Sequence, residues 1–144
     1  MRTIFSCVLC ALLALACWTE TASASDSNML HATIKLLTQF NLTVKQTNTR
    51  FSTPTNGIED CCSQSALKCF QSQLNTITSN NKELQHKLQK NLLKSSIVKG
   101  VDRCTVEEKA RVQCASCNSY NKTDSQVFLK NLLLLLQKAY SRLN

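Results

Sequence analysis

Apolar residues return every three or four positions along four separate stretches of the chain, the period of a helix that buries one face. The pattern predicts a first helix over residues 27–45, with Leu30, Ile34, Leu37 (with Leu36), Phe40 or Asn41, and Val44 as its stripe. A second is predicted over 60–77, on Ala66, Leu67, Phe70, Leu74 and Ile77. A third is predicted over 81–98, on Leu84, Leu88, Leu92 and either Ser96 or Ile97, with Asn80 as N-cap, Glu83 three residues on, and Gly100 as its stop. The fourth, 124–143, is the most apolar. Phe128, Leu132, Leu135, Ala139 and Leu143 form one face, and Leu129, Leu133, Leu136 and Tyr140 form a second beside it. Asp124 or Thr123 starts this helix, and Thr123-x-x-Gln126 has the form of a capping box. So wide an apolar arc means either two buried sides or one side for the core and one for a partner. Lys130 and Asn131 interrupt it, so it falls short of the ~20 apolar residues of a membrane span.

The links between these stretches predict how they are arranged. Only Gly57, Gly100 and Pro54 punctuate the chain; strands need frequent tight turns, so the shortage favours a few long helices. The links 46–59 and 101–123 are long, whereas 78–80 is short. A short link makes its helices antiparallel, and two long links let the chain cross over and run parallel. The expected fold is all-α, a short-chain four-helix bundle in up-up-down-down order; a plain up-down bundle would not need such links.

Composition adds an address. Arg2 precedes an apolar run from Ile4 to Trp18, and Ala22-Ser23-Ala24 has the small-x-small form of a cleavage site. Residues 1–24 therefore read as a signal peptide and 25–144 as one secreted domain. Of nine cysteines, Cys7, Cys10 and Cys17 leave with the leader; Cys61, Cys62, Cys69, Cys104, Cys114 and Cys117 remain. An even number in a secreted chain predicts disulfides, and the zinc reading of Cys114-x-x-Cys117 belongs to a reducing compartment. The balance of 17 Lys and Arg against 9 Asp and Glu is spread without long runs. It predicts a solvated surface that favours acidic partners such as receptor patches or sulfated glycans. No basic–aromatic motif suggests nucleic acid.

Spacing constrains the bridges. Cys62 and Cys69 lie about two helical turns apart, roughly 10.5 Å along one face. Cys114 and Cys117 lie roughly 10 Å apart if extended. The spacings match if the last link runs extended past the second helix. The bridges are then Cys62–Cys114 with Cys69–Cys117, or the swap, and spacing does not choose. Cys61 is about 100° round the helix, which leaves Cys104 as its partner, since a bridge between adjacent Cys61 and Cys62 would be strained.

Several segments together resemble a known family. They are Cys62-Ser-Gln-Ser-Ala-Leu-Lys-Cys69-Phe70-Gln71 with Gln73-Leu74, then Asn80-Asn81, then Cys114-Ala-Ser-Cys117-Asn-Ser-Tyr120, then Phe128-Leu129 and Leu135-Leu136-Gln137-Lys138. This joint pattern is similar to that of the interleukin-2, -15 and -21 cytokines. The resemblance covers the second helix to the end of the chain, with a weaker fit in the first. It implies a monomeric ligand for type I cytokine receptor chains: a private chain met by the first and third helices, and the common gamma chain met by the first and fourth. It also implies the pairing Cys62–Cys114 and Cys69–Cys117, to which Cys61 and Cys104 are additions. Gln137 falls at the glutamine that meets the gamma chain in the resembling proteins. Tyr140 shares its surface three residues on, and Leu133 and Leu136 complete the expected receptor-binding set. One departure stands out: no Asp or Glu occurs between Asp26 and Glu59, where these cytokines carry an acidic residue for the private receptor.

No catalytic grouping, cofactor motif or metal-ligand cluster is evident. His31 and His86 are far apart in sequence on polar stretches, and neither has a nucleophile or carboxylate pair at catalytic spacing. Asn41-Leu42-Thr43 and Asn121-Lys122-Thr123 are glycosylation sequons. The functional expectation is a secreted cytokine that bridges two receptor chains and so activates lymphocytes. The alternative is a cationic, disulfide-stapled host-defence protein acting on membranes.

Overall fold

A computed structural model describes residues 26–55, 58–102 and 104–143. The leader expected over 1–24 lies outside the described residues. The described chain is all-α with a small two-stranded ribbon, and three disulfides staple it. The elements are α1 (residues 26–41), β1 (Phe51–Ser52), α2 (Ser63–Gln73), α3 (Lys82–Leu92), α4 (Ser95–Val101), α5 (Val106–Arg111), β2 (Lys122–Thr123) and α6 (Ser125–Leu143). Turns of 3₁₀ helix over Asp60–Cys62 and Leu74–Thr76 flank α2, so the second predicted helix is one continuous helical run.

One core joins the helices. It is built on Leu30, Leu37 and Phe40 of α1, Leu67 and Phe70 of α2, Leu88 and Leu92 of α3, Ile97 and Val101 of α4, and Phe128, Leu132 and Leu136 of α6. Phe128 lies at its centre, with its ring centroid 5.1 Å from those of both Phe51 and Phe70. That spacing suits tilted and edge-on aromatic contact.

The first predicted helix ends four residues early. Val44, expected on its stripe, instead forms a β-bridge with Ser79, and the Lys45 amide donates to the Thr78 carbonyl at 2.9 Å. The segment after α1 is thus tied to the segment after α2. The third predicted helix is two helices. After Leu88 and Leu92 the next buried residue is Ile97, and a gap of five would turn Ile97 away from the core on an unbroken helix. The chain breaks at Leu93 and Lys94, Lys94 adopts ψ 140°, and α4 restarts with Ile97 facing inward. Gly100 does not stop the helix but lies inside α4. A β-carbon there would stand 3.1 Å from Leu30 Cδ1, so glycine lets α4 approach α1 closely.

One cap differs by one residue from expectation, and at the other the first of the two expected residues serves. Asn81, not Asn80, caps α3, its side chain accepting from the Leu84 amide at 3.0 Å. Asp124 caps α6, accepting from the Val127 amide at 2.9 Å. The Thr123 hydroxyl is taken by the Thr53 hydroxyl at 2.6 Å, so the capping box read at Thr123 does not form.

The long links also carry structure that the pattern left unassigned. β1 of the first pairs antiparallel with β2 of the last, Phe51 opposite Thr123 and Ser52 opposite Lys122. On the other edge of β1, the Gln73 side-chain amide accepts from the Ser52 amide and donates to the Ser52 carbonyl, each at 2.8 Å. Gln73 therefore acts as a third strand one residue long. The last link is not extended throughout: α5 interrupts it, opened by a capping box between Thr105 and Glu108.

The bridges are Cys61–Cys104, Cys62–Cys114 and Cys69–Cys117. The direction that spacing leaves open is therefore the one implied by the resemblance. Cys61 and Cys62 hold the two ends of the segment containing α5 against the start of α2.

Candidate functional site

The surface of α6 follows from which of its apolar residues the core uses. Phe128, Leu129, Leu132, Leu136 and Ala139 form the buried ridge. It lies between the two faces read from the sequence and takes members of both. Leu136 is fully buried, at 0% exposure, so it offers a partner nothing and leaves the receptor-binding set. Leu133 and Tyr140 flank the ridge half-buried, and Gln137 is exposed. Tyr140 also packs on the core and on the His31 ring of α1, at a centroid distance of 5.6 Å. It is therefore part structural.

These residues lie along the seam between α1 and α6. At one end the seam opens into a cleft of about 380 Å³. Its floor is Leu37 and Leu129, and its walls include Thr38 and Asn41 of α1 with Lys130 and Leu133 of α6. Gln137 follows Leu133 by four residues, one turn along the same stripe. The structure thus places Leu133 and Tyr140 beside α1, with Gln137 exposed between them along α6. It adds Asn41, read from the sequence as a sequon, and Lys130 and Thr38, which periodicity did not single out because they are polar.

A second surface is electrostatic. His86, Lys87, Lys90, Lys94 and Lys99 on and around α3 and α4 are all exposed, and no acidic residue lies between Glu83 and Asp102. This surface borders α1, where Asn91 Nδ2 donates to Thr33 Oγ1 at 3.5 Å and Lys94 Nζ approaches Met29 Sδ at 3.9 Å. The acids are elsewhere. Asp60 meets Arg142 and Lys138 of α6, and its carboxyl is held below the usual aspartate range chiefly by the hydrogen bond from Arg142. Asp102 is lowered in the same way by Lys109, with help from the Cys104 amide.

Among the described residues, the cluster nearest to a metal-ligand set is Cys61, Cys104 and Glu108. Its two sulfurs are bonded to each other, so they are not the thiolates a metal requires. No helix among the described residues is long and apolar enough to cross a membrane. Both sequon asparagines are exposed: Asn41 is the last residue of α1 and Asn121 precedes β2. No protein-family model matches the chain, and no curated protein matches it.

Proposed function

We propose that this chain is a secreted cytokine of the interleukin-2, -15 and -21 type, which acts by holding a private receptor chain and the common gamma chain together. The observation that carries the reading is the α1–α6 seam, where a small cleft, a half-buried leucine and an exposed glutamine adjoin on a rigid support. A central apolar pocket with a polar amide beside it is the form of an interface anchor. The function needs no catalysis: two faces of one bundle bring two receptor chains, and their cytoplasmic kinases, into proximity.

Contacts between helix ends support the up-up-down-down order. The starts of α1 and α2 meet the end of α6, through His31 with Tyr140 and Asp60 with Arg142. The ends of α1 and α2 are joined by the Val44–Ser79 bridge. The chain then returns along α3, which brings Lys94 to Met29 near the start of α1. The ribbon and Gln73 hold the two crossover links in place. Three disulfides agree with an oxidising compartment, as secretion requires.

The private receptor would meet α1 and α3. This face lacks the acidic residue of the resembling cytokines and presents the lysines of α3 and α4 instead, so the matching receptor surface is acidic. The membrane-acting alternative would need an apolar face free for lipid. The ridge of α6 is buried, and Lys138 and Arg142 face Asp60.

The test is surface plasmon resonance of refolded protein on receptor ectodomains. Gln137→Asp is expected to weaken gamma-chain binding by at least about 2 kcal/mol, the hot-spot scale, with private-chain binding and far-UV spectrum unchanged. Gamma-chain binding equal to that of the parent overturns the site. Leakage of anionic liposomes without receptor binding overturns the function.

A further inference from the structure

Asn41 heads a glycosylation sequon and also forms part of the wall of the α1–α6 cleft. We infer that a glycan on Asn41 gates this cleft, so that the glycosylated chain binds the private receptor but not the receptor chain that docks on the seam. The inference rests on the reading of the seam as a receptor face.

Three observations lead to it. First, Asn41 is exposed at the last residue of α1, so its amide can carry a sugar without disturbing the fold. Second, Leu42, the middle residue of the sequon, is 85% exposed. The sequon therefore turns outward at Asn41 and Leu42, and a sugar there meets no packed side chain of its own segment. Third, the third residue of the sequon, Thr43, hydrogen-bonds the Phe40 carbonyl at 2.7 Å and the Ser79 hydroxyl at 2.8 Å. The backbone next to Asn41 is therefore fixed, so the point of attachment stays at the cleft wall. Asn121 has no such placement. It precedes β2 in the last link, and its carbonyl accepts from the Thr53 amide at 3.0 Å.

The modification is made on the unfolded chain during export. An oligosaccharide linked to a lipid pyrophosphate is the donor. The bond from its anomeric carbon to the pyrophosphate oxygen breaks as the bond to Asn41 Nδ2 forms, the lipid pyrophosphate leaves, and the amide loses one proton to a base. Folding then places the sugar on the cleft, where a hydrated, bulky group excludes a second protein surface by volume. The private-receptor face around α3 and α4 is left open.

The experiment uses Asn121→Gln protein, so that Asn41 is the one remaining sequon, secreted from animal cells and also refolded from bacteria without sugar. Peptide mass measurement reads Asn41 occupancy, and surface plasmon resonance reads binding to gamma-chain and private-chain ectodomains. The expected result is an occupied Asn41, gamma-chain binding at least about tenfold weaker in the secreted form, and equal private-chain binding. Trimming the sugar on the secreted protein to its first residue with an endoglycosidase, which keeps Asn41 itself, should raise gamma-chain affinity towards that of the refolded one. A bare Asn41, or secreted and refolded forms within about twofold of each other, overturns the gate while leaving the receptor face standing. If the sugar-free refolded protein does not bind the gamma chain at all, the reading of the seam fails, and the gate with it.

Discussion

Removing the Cys61–Cys104 bridge, as Cys61→Ser with Cys104→Ser, tests how the staples share their work. Taken alone, this bridge closes a loop with sequence separation 43, worth about 4 kcal/mol of unfolded-chain entropy. It is not alone. Cys62, next in sequence, is bridged to Cys114, so the unfolded chain already has a short path from Cys61 to Cys104. That path steps to Cys62, crosses to Cys114, and returns along the ten residues to Cys104. The loop actually closed is therefore only about 11 residues, and the same relation assigns it about 3 kcal/mol. For the ~120 residues expected after removal of the leader, this is roughly 10–15 °C in Tm. Urea unfolding of the double variant should show that loss together with a larger m, because a released cross-link lets the unfolded state expand. Amide exchange should accelerate in α5, which the bridge holds at one end, and stay slow in α1 and α6. Receptor binding should be retained, because the seam and the staple are on different elements. A loss below about 1 kcal/mol with unchanged m would refute the entropic account.

Four further outcomes follow from particular contacts. Phe128→Ala should cost about 3–5 kcal/mol in urea unfolding, because it empties a fully buried site between Phe51 and Phe70; a cost under about 1 kcal/mol would mean that the core is not built on this ring. Gly100→Val should destabilise by about 1–3 kcal/mol, since added carbon meets Leu30, and an unchanged Tm would deny the close approach of α4 to α1. Gln73→Leu should cost about 1–3 kcal/mol, because both hydrogen-bonding groups of Ser52, itself 5% exposed, lose a partner. Asp60 has a lowered pKa, so its contribution is present above the ordinary aspartate value of about 3.9 and is lost as pH falls through the lower folded value. Asp60→Asn should therefore flatten stability against pH below about pH 4 and leave the slope above it unchanged; a parallel shift of the whole curve would refute the assignment.

Helix existence was legible because core contacts obey a period, and boundaries failed where another bond outcompeted the helix. Val44 satisfied the stripe of α1, yet its backbone joins Ser79, a long-range pairing that no local pattern signals. The break in α3 did leave a mark, the five-residue gap from Leu92 to Ile97, which a single unbroken helix cannot bury. Gly100 was misread as a stop because a glycine near a helix end usually serves there; its actual reason is a neighbour, Leu30, that lies 70 residues away in sequence. The ribbon escaped notice for the same reason. Two residues on each side are too few for a period of two, and half of the edge pairing of β1 comes from the side chain of Gln73.

The site was harder to see than the core because of the run Leu132 to Leu136. Five leucines in a row occupy every direction round the helix, so periodicity cannot say which of them the core takes. Contact decides: the core claims Leu132 and Leu136, while Leu133 remains at the edge beside α1. The next residue, Gln137, is about 100° from Leu136, and that single step carries the chain from full burial to the open seam. A recognition surface placed there gains its rigidity from the ridge and its specificity from what flanks it. Substitutions on the ridge should therefore change stability, and substitutions one step away from it should change affinity.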